Sequence, residues 1–179
     1  MAAAVAAGDL WAFSLELYHR PGVAEACLSL QDRCSVNVNL LLHALWCGAR
    51  GHRVTQEERQ QLDQAVATWH EQVVEPLRGT RRWMKAHATM RDHAAMALRE
   101  AIKKQELEAE RLEQLLLERT LTPLPGASAP DHAAANALDL LSSAGPQESA
   151  ELLLILETLW PSLDKARLEE AFGHRQPTR

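Results

Sequence analysis

The chain has 179 residues, a net charge of −5 and an apolar content of 46%, values that exclude a globally disordered protein. Alanine and leucine dominate, and Gly and Pro number eight each, so the composition favours helices over sheet. No apolar run approaches the roughly 20 residues of a membrane-spanning helix, and the three cysteines form no C-x-x-C pair. The N-terminus has no basic leader segment, so we expect a cytoplasmic protein with reduced thiols.

The first 75 residues predict a bundle of about four helices. Asp9 is the expected N-cap of the first helix, which ends before Pro21. The second helix covers residues 21–32. The third helix begins at Asn37 as its N-cap and is apolar around nearly its whole circumference as far as Gly48. Because a helix that is apolar on all sides is normally buried, we expect this helix to lie at the centre of the fold.

The fourth helix opens with a capping-box pattern, in which Thr55 is the N-cap and Glu58 is the N3 residue. We expect Pro76 to kink or end this helix. A long helical region is then predicted from Leu77 to Arg119, and its second half carries a weak heptad pattern. The heptad positions are Leu98, Ile102, Gln105, Ala109, Leu112 and Leu116. The pattern is compatible with a homodimer seam and equally with packing on the protein's own helices.

A Pro-rich linker follows the long helix. It reads TLTPLPGASAP and holds three prolines and a glycine. Short amphipathic helices are predicted beyond it, over residues 131–144, 147–160 and 162–172. We expect these apolar segments to fold back on the bundle, since exposure would favour aggregation, with docking to a partner as the alternative. The predicted division is therefore a bundle with a long helix (1–119), a linker (120–130) and a C-terminal helical segment (131–179).

The N-terminal third of the chain resembles a known group of sequences. The shared elements are Trp11, Ser14-Leu15, Tyr18, Pro21-Gly22-Val23, Ala26-Cys27-Leu28, Leu30-Gln31-Asp32 and Val38-Asn39-Leu40-Leu41-Leu42 with Trp46. They resemble an uncharacterised family of short proteobacterial helical proteins that is catalogued as a domain of unknown function, and the match is concentrated in residues 11–48. The chain departs from that pattern at Cys34 and Asn37, where Gly and Asp are expected. The resemblance implies a self-contained N-terminal unit and brings no activity or cofactor with it.

Polar side chains interrupt the apolar third helix and define a candidate polar pocket. Asn39 and His43 lie four residues apart and share one helix face, and Gln31 and Asp32 end the preceding helix. One interpretation is a site in which Asp32 orients His43 as a general base, or in which His43 and Cys47 bind a metal. The other is a buried structural network of polar groups. We expect no metal, because zinc needs two further ligands and no second pair has the required spacing.

Residues 76–104 form a basic island, with eight basic and two acidic side chains between acidic flanks. Arg78, Arg81, Arg82 and Lys85 lie on one predicted helix face and are a candidate docking surface for an acidic partner. The alternative is a solvated face that the acidic flanks partly neutralise. A sequence pI of about 5.9 and an aromatic content of 4% argue against nucleic acid as the partner.

These features support two hypotheses about function. The first is a non-enzymatic protein-interaction or regulatory module, which follows from the basic island, the heptad pattern and the apolar C-terminal helices. The second is a small enzyme or ligand-binding protein whose pocket surrounds Asp32, Asn39 and His43. The sequence contains no recognisable catalytic or cofactor-binding motif, which favours the first hypothesis.

Overall fold

A computed structural model describes residues 8–87, 92–141, 146–161 and 163 of the chain. Every regular element in these residues is helical, which confirms the all-α prediction. A long helix follows the N-terminal helices, as predicted, and shorter helices follow the linker. The elements are α1 (Leu10–Tyr18), α2 (Val23–Cys34), α3 (Val38–Ala49), α4 (Gln56–Trp69), a π-helical turn (His70–Val74), α5 (Glu75–Ala86), α6 (His93–Thr120), α7 (Pro130–Leu140) and α8 (Pro146–Leu159).

The predicted helix starts are confirmed by their capping hydrogen bonds. The Asp9 carboxylate accepts from the Ala12 amide at 2.8 Å at the start of α1. The side-chain Oδ1 of Asn37 accepts from the Asn39 backbone amide at 2.9 Å at the start of α3. Thr55 and Glu58 form the reciprocal bonds of a capping box at the start of α4. These side chains satisfy amide groups that have no partner within a helix, and so they fix where each helix begins.

The central position of α3 is also confirmed. Its residues from Val38 to Ala49 are buried with the exception of Leu40, and its apolar side chains belong to the main core. The other helices surround it, with α1, α6 and α7 in contact with it. The stretch of sequence that is apolar on all sides is therefore covered on all sides.

The middle of the chain contains two interruptions, one expected and one not. The interruption expected at Pro76 takes the form of a π-helical turn, after which α5 begins with Pro76 in its first turn. A widened turn tolerates a residue that lacks an N–H group and crowds the preceding turn. The long helical region from Leu77 to Arg119 is also not continuous. His87 adopts an extended conformation, and Asp92 caps a new helix by accepting from the Ala95 amide at 2.7 Å.

The helices α5 and α6 pack side by side as an antiparallel pair. The direction follows from the ion pairs, since Arg78 contacts Glu110 and Arg81 contacts Glu106. The residue numbers of the contacting side chains rise along α5 while they fall along α6, as they do in an antiparallel pair. The first half of α6 is largely exposed, whereas its second half passes through the core.

The C-terminal helices fold back on the N-terminal ones. Helix α7 lies against α3, and α8 lies against α2. Asn136 connects α7 to α3 and to the loop that follows α3. Its side-chain amide donates to the Ala44 and His52 carbonyls, and its side-chain oxygen accepts from the Val54 amide. Residues 142–145 and most of the third predicted C-terminal helix, 162–172, lie outside the described residues.

The closest approach between α3 and α7 is made at Gly48. A Cβ atom built there would overlap the backbone of Ala133. Both positions are inside the main core, so neither helix can shift without disturbing other contacts. Glycine is therefore required at residue 48 by space and not by backbone conformation.

We predict that Gly48→Ala lowers the free energy of unfolding by about 1–3 kcal/mol, because the added methyl group forces the two helices apart. Chemical denaturation monitored by circular dichroism measures the change. Gly79→Ala is the matched control, since a Cβ at Gly79 in α5 meets nothing within 4 Å. That substitution should stabilise the protein by about 0.5–1 kcal/mol, as expected for Gly to Ala within a helix. Equal effects at the two positions would contradict the close-packing argument.

Candidate functional site

The four residues of the predicted polar pocket lie in different environments. Gln31 and Asn39 line one cavity. Asp32 lies on the surface and forms an ion pair with Arg82 of α5. His43, one turn further along α3, is buried and lines a different cavity. The pairing of Asp32 with His43 that the sequence suggested is not formed, because the end of α2 presents Asp32 to α5 instead of to α3.

His43 is held as a neutral imidazole. Its Nε2–H donates to the Leu121 carbonyl at 2.9 Å, and its Nδ1 lies 3.7 Å from the Sγ of Cys47. Burial lowers the pKa of His43 to about 4, and burial also raises the pKa of the Cys47 thiol to about 12. A reactive cysteine needs the opposite shift, toward the thiolate. The contact between these two groups therefore packs a neutral thiol against a neutral imidazole.

Asn39 belongs to a buried polar network that is centred on Glu113 of α6. The Glu113 carboxylate is fully buried. It accepts from the Asn37 side chain at 2.6 Å, from the Asn39 side chain at 2.8 Å and from His70 Nδ1 at 3.0 Å. A buried carboxylate is stable only when several donors form hydrogen bonds to it. The Asn37, Asn39 and His70 side chains provide these donors for Glu113.

The network continues toward the other side of α3. The Asn39 oxygen accepts from the Gln114 amide at 2.9 Å, and the Gln114 oxygen accepts from the Ser14 hydroxyl at 2.9 Å. Ser14, Asn39 and Gln114 are all buried. The amide orientations are consistent along the whole chain of bonds, since each oxygen faces a donor and each nitrogen faces an acceptor.

His70 is the imidazole partner of Glu113. Burial by itself lowers the pKa of His70, but the hydrogen bond and the charge of Glu113 outweigh burial and raise it above the ordinary value. Glu75 adds to this effect from the other side of the ring, at 3.4 Å from Nε2. The π-helical turn places His70 at this point, directly beneath the start of α3.

Sequence reasoning identified Asn37 and Asn39 but missed Glu113, Gln114 and His70. The segment ERLEQLLLER gives no signal for them, because six of its ten residues are polar or charged and Glu113 and Gln114 do not stand out among them. Which helices meet is a property of the tertiary fold, and the spacing along the chain does not reveal it.

The candidate docking surface is largely engaged within the protein. Arg78 is buried and contacts Glu75, Glu106 and Glu110. Arg81 pairs with Glu106, and Arg82 pairs with Asp32. Lys85 is exposed. The acidic second half of α6 therefore neutralises much of the basic island, as in the alternative interpretation of that island.

A cavity of about 130 Å³ lies between α1, α3 and α6. Its lining combines apolar and polar side chains. Leu15 and Leu107 are 41% and 52% exposed, so the cavity reaches solvent at these two side chains. The apolar lining residues, which we call the apolar wall, are Trp11, Leu15, Val38, Leu42 and Leu107, and the polar lining residues, which we call the polar wall, are Ser14, Tyr18, Gln31, Asn39, Arg78, Glu110 and Gln114.

A second, more polar cleft of about 360 Å³ lies beside this cavity. Gln31 and Arg78 border both spaces, so these two side chains form the partition between them. The cleft is lined by Gln31, Asp32, Ser35, Val36, His70, Glu75, Arg78 and Arg82. The space next to His43 is much smaller, at about 20 Å³. The 130 Å³ cavity is therefore the space whose two contrasting walls suit a small molecule best.

Two properties of the described residues bear on cofactors and membranes. Among them, no group of three His, Cys, Asp or Glu side chains could hold a metal ion. None of the helices placed by the structure is both long and apolar enough to cross a membrane. Cys27, Cys34 and Cys47, which all lie in the described part of the chain, are not joined in disulfide bonds.

A family described as "Protein of unknown function (DUF2390)" matches residues 9–117 of the chain. The chain belongs to this family. The DUF2390 match covers more than half of the chain and contains every residue that lines the 130 Å³ cavity. It also contains Glu113 and its partners, whereas α7 and α8 lie beyond it. The chain matches no curated protein and no solved structure.

We predict that Glu113→Gln lowers the free energy of unfolding by about 3 kcal/mol or more, because the amide keeps only one acceptor oxygen and turns an NH2 group toward donors that now lack a partner. The pKa of His70 should fall at the same time. His70 has a raised pKa in the folded state, so its contribution to stability is present below its unfolded pKa and is lost as pH rises through its folded pKa.

Urea denaturation and a histidine titration by NMR measure the two effects of Glu113→Gln. Glu108→Gln is the matched control, since Glu108 lies on the same helix and pairs with Arg111 at the exposed surface. It should leave the free energy of unfolding nearly unchanged, because exposed ion pairs contribute little to stability. An unchanged pKa of His70 in Glu113→Gln would show that the carboxylate does not govern the imidazole.

We also predict that His43 makes the protein less stable in mild acid. Its folded pKa of about 4 lies below its unfolded value of 6.5, so the unfolded state binds more protons between these two pH values. Stability should fall as pH falls from 6.5 to 4, by about 3 kcal/mol in total from this one group. In His43→Gln the slope of unfolding free energy against pH should be smaller in this window. Identical slopes, measured by denaturation at several pH values, would refute the assignment.

Proposed function

We propose that this protein is a non-enzymatic regulatory module that binds a small molecule in the 130 Å³ cavity. The observation that carries the proposal is the cavity itself, with an apolar wall, a polar wall and an opening to solvent. Ligand sites in proteins combine a mostly apolar lining with a few fixed polar groups. The cavity lies entirely within the part of the chain that the family shares.

The size of the cavity limits the ligand. An engineered cavity of about 150 Å³ holds one benzene molecule, so a space of this size suits about six to eight non-hydrogen atoms. The buried polar groups of one wall favour a ligand with a polar end over a pure hydrocarbon. Leu15 and Leu107 at the opening are side chains that can move aside for entry.

Binding without catalysis agrees with the state of the chemically capable groups. The Cys47 thiol and the His43 imidazole are both neutral and buried. The His70 ring is engaged by Glu113 and Glu75. Cys27 is buried and its thiol pKa is raised to about 12 by burial, which makes it a poor nucleophile. These groups serve packing and charge compensation.

A second candidate function is protein interaction through the exposed first half of α6. Met96 and Leu98 are both more than half exposed there, and Trp83 is similarly exposed on α5. Ala109 and Leu116, further along the predicted heptad, pack into the protein's own core. An acidic protein segment or a second copy of the chain would have to use the exposed half of the heptad, with Lys85 beside it. Exposed apolar side chains close together are a common feature of interaction surfaces.

We predict that Leu107→Trp blocks the cavity and abolishes small-molecule binding without unfolding the protein, since Leu107 is half exposed at the opening. Screening a library of fragments with six to eight non-hydrogen atoms by NMR measures binding, through shifts of the Trp11 indole and of neighbouring amides. Leu124→Trp is the matched control, because Leu124 is exposed and does not line the cavity.

The proposal fails if no fragment shifts the resonances of cavity residues, or if Leu107→Trp and Leu124→Trp bind fragments equally well. Light scattering of the same samples gives the oligomeric state. A dimer that ignores all fragments, and becomes a monomer in Leu98→Glu, would support the second candidate function instead.

A further inference from the structure

We propose that the ligand of the 130 Å³ cavity is a small primary amine with an apolar tail of about four to six carbon atoms. This inference rests on the proposed function, because it names the chemical class of ligand for the same cavity. The positively charged head would lie beside Glu110, and the tail would lie against the leucine side of the cavity.

Much of the polar wall is already committed to internal hydrogen bonds. Ser14, Gln114 and Asn39 bond to one another and to Glu113. Their hydrogen bonds fix the wall in one arrangement and leave little capacity for a ligand. The groups that remain to recognise a polar head are Tyr18, Gln31, Arg78 and Glu110.

The charges around the polar wall favour a cation. Arg78 contacts the three carboxylates of Glu75, Glu106 and Glu110. Among the described side chains, Arg81 is the one other cation that pairs with this group, through Glu106. Two cations therefore face three anions. The neighbouring pair of Arg82 with Asp32 adds one charge of each sign and leaves the excess unchanged.

The negative charge closest to the ligand is that of Glu110. Its Oε1 accepts from Arg78 at 2.7 Å, and the carboxylate lines the cavity. Burial raises the pKa of Glu110 even though Arg78 is bonded to it, with Glu106 and Glu113 acting in the same direction. A second cation beside Glu110 would compensate the excess negative charge of the cluster, whereas a ligand carboxylate would be repelled by Glu110.

Two aromatic rings border the same space. Trp11 and Tyr18 both line the cavity, and their faces attract a cation within about 6 Å. Burial raises the pKa of Tyr18, so its hydroxyl stays neutral and can accept a hydrogen bond from an ammonium group. An ammonium ion has three donors and no acceptor, which suits a cavity lined by a carboxylate, a phenol group and a second aromatic ring.

The apolar wall sets the shape of the tail. Leu15, Leu42 and Leu107 are unbranched at Cβ and can adjust to a flexible chain. Each methylene group buried against them tightens binding by about threefold to fourfold, so a tail of four to six carbons supplies most of the affinity. The head group then decides which of several equally long ligands binds best.

The test compares three five-carbon probes that differ in the head group: n-pentylamine, 1-pentanol and pentanoate. Binding to the full chain near pH 7 is measured by NMR titration. We expect n-pentylamine to bind about tenfold or more tightly than 1-pentanol, and pentanoate to bind most weakly, since a hydrogen bond to a charged group contributes about 1.5–3 kcal/mol. This comparison needs no substitution and so does not depend on the folding of a variant.

Two variants locate the effect. Glu110→Gln keeps the size of the side chain and should remove the preference for the amine over the alcohol. Glu108→Gln, on the same helix and fully exposed, should keep it. Leu107→Trp should weaken binding of all three probes, which shows that they occupy the cavity.

The possible failures are distinguishable. Tighter binding of 1-pentanol or pentanoate than of n-pentylamine overturns the amine proposal but leaves small-molecule binding intact. An amine preference that survives Glu110→Gln overturns the assigned role of that carboxylate. Absence of binding by all three probes overturns the ligand class, and it overturns the proposed function only if the fragment library also gives no cavity shifts.

Discussion

The buried carboxylate of Glu113 is the constraint on which the central part of this structure depends. A charge with no exposure to water is stable only if several donors converge on it, and here two asparagine side chains and an imidazole do so. Those donors come from the start of α3 and from the π-helical turn. The second half of α6 can therefore take up only one position against them, because a shift along its axis would leave the charge without partners. Apolar packing alone would allow such shifts at a smaller cost.

The same requirement explains why the winding changes at His70. A regular α-helix continued through residues 70–74 would give Pro76 a clash with the preceding turn, and it would rotate the His70 ring relative to α6. The wider turn accommodates the proline and leaves His70 facing Glu113. The π-helical turn thus serves two features of the chain. The proline can be recognised from the local sequence, whereas the buried contact of His70 with Glu113 cannot. On the other side of α3, the packing of α7 is fixed by the close contact of Gly48 with Ala133 and by the hydrogen bonds of Asn136.

What could be predicted from the sequence follows from the range over which each interaction acts. The caps at Asp9, Asn37 and Thr55 are interactions over three residues or fewer, and their residue types were sufficient to identify them. Asp92 is of the same kind and was missed because no Gly or Pro separates it from Ala86 to mark the break between the two helices. The family membership and the all-α class were likewise readable. The partners of Asn39 lie 74 and 75 residues away, and no local pattern specifies which helix meets α3. The suggested partner, Asp32, was near in sequence but is directed to the surface.

The cavity and the charge network are physically connected. Ser14, Gln114 and Asn39 form part of the cavity wall, and each is held in one orientation by a bond to the next and finally by Glu113. A wall held in this way keeps its shape whether or not a ligand is present. Binding then requires little loss of side-chain freedom, which lowers the entropic cost that usually limits the affinity of small ligands. An apolar wall of the same size would collapse more readily around an empty space. The buried charge therefore has a consequence beyond the register of α6, since it maintains an open, preorganised cavity at the junction of α1, α3 and α6.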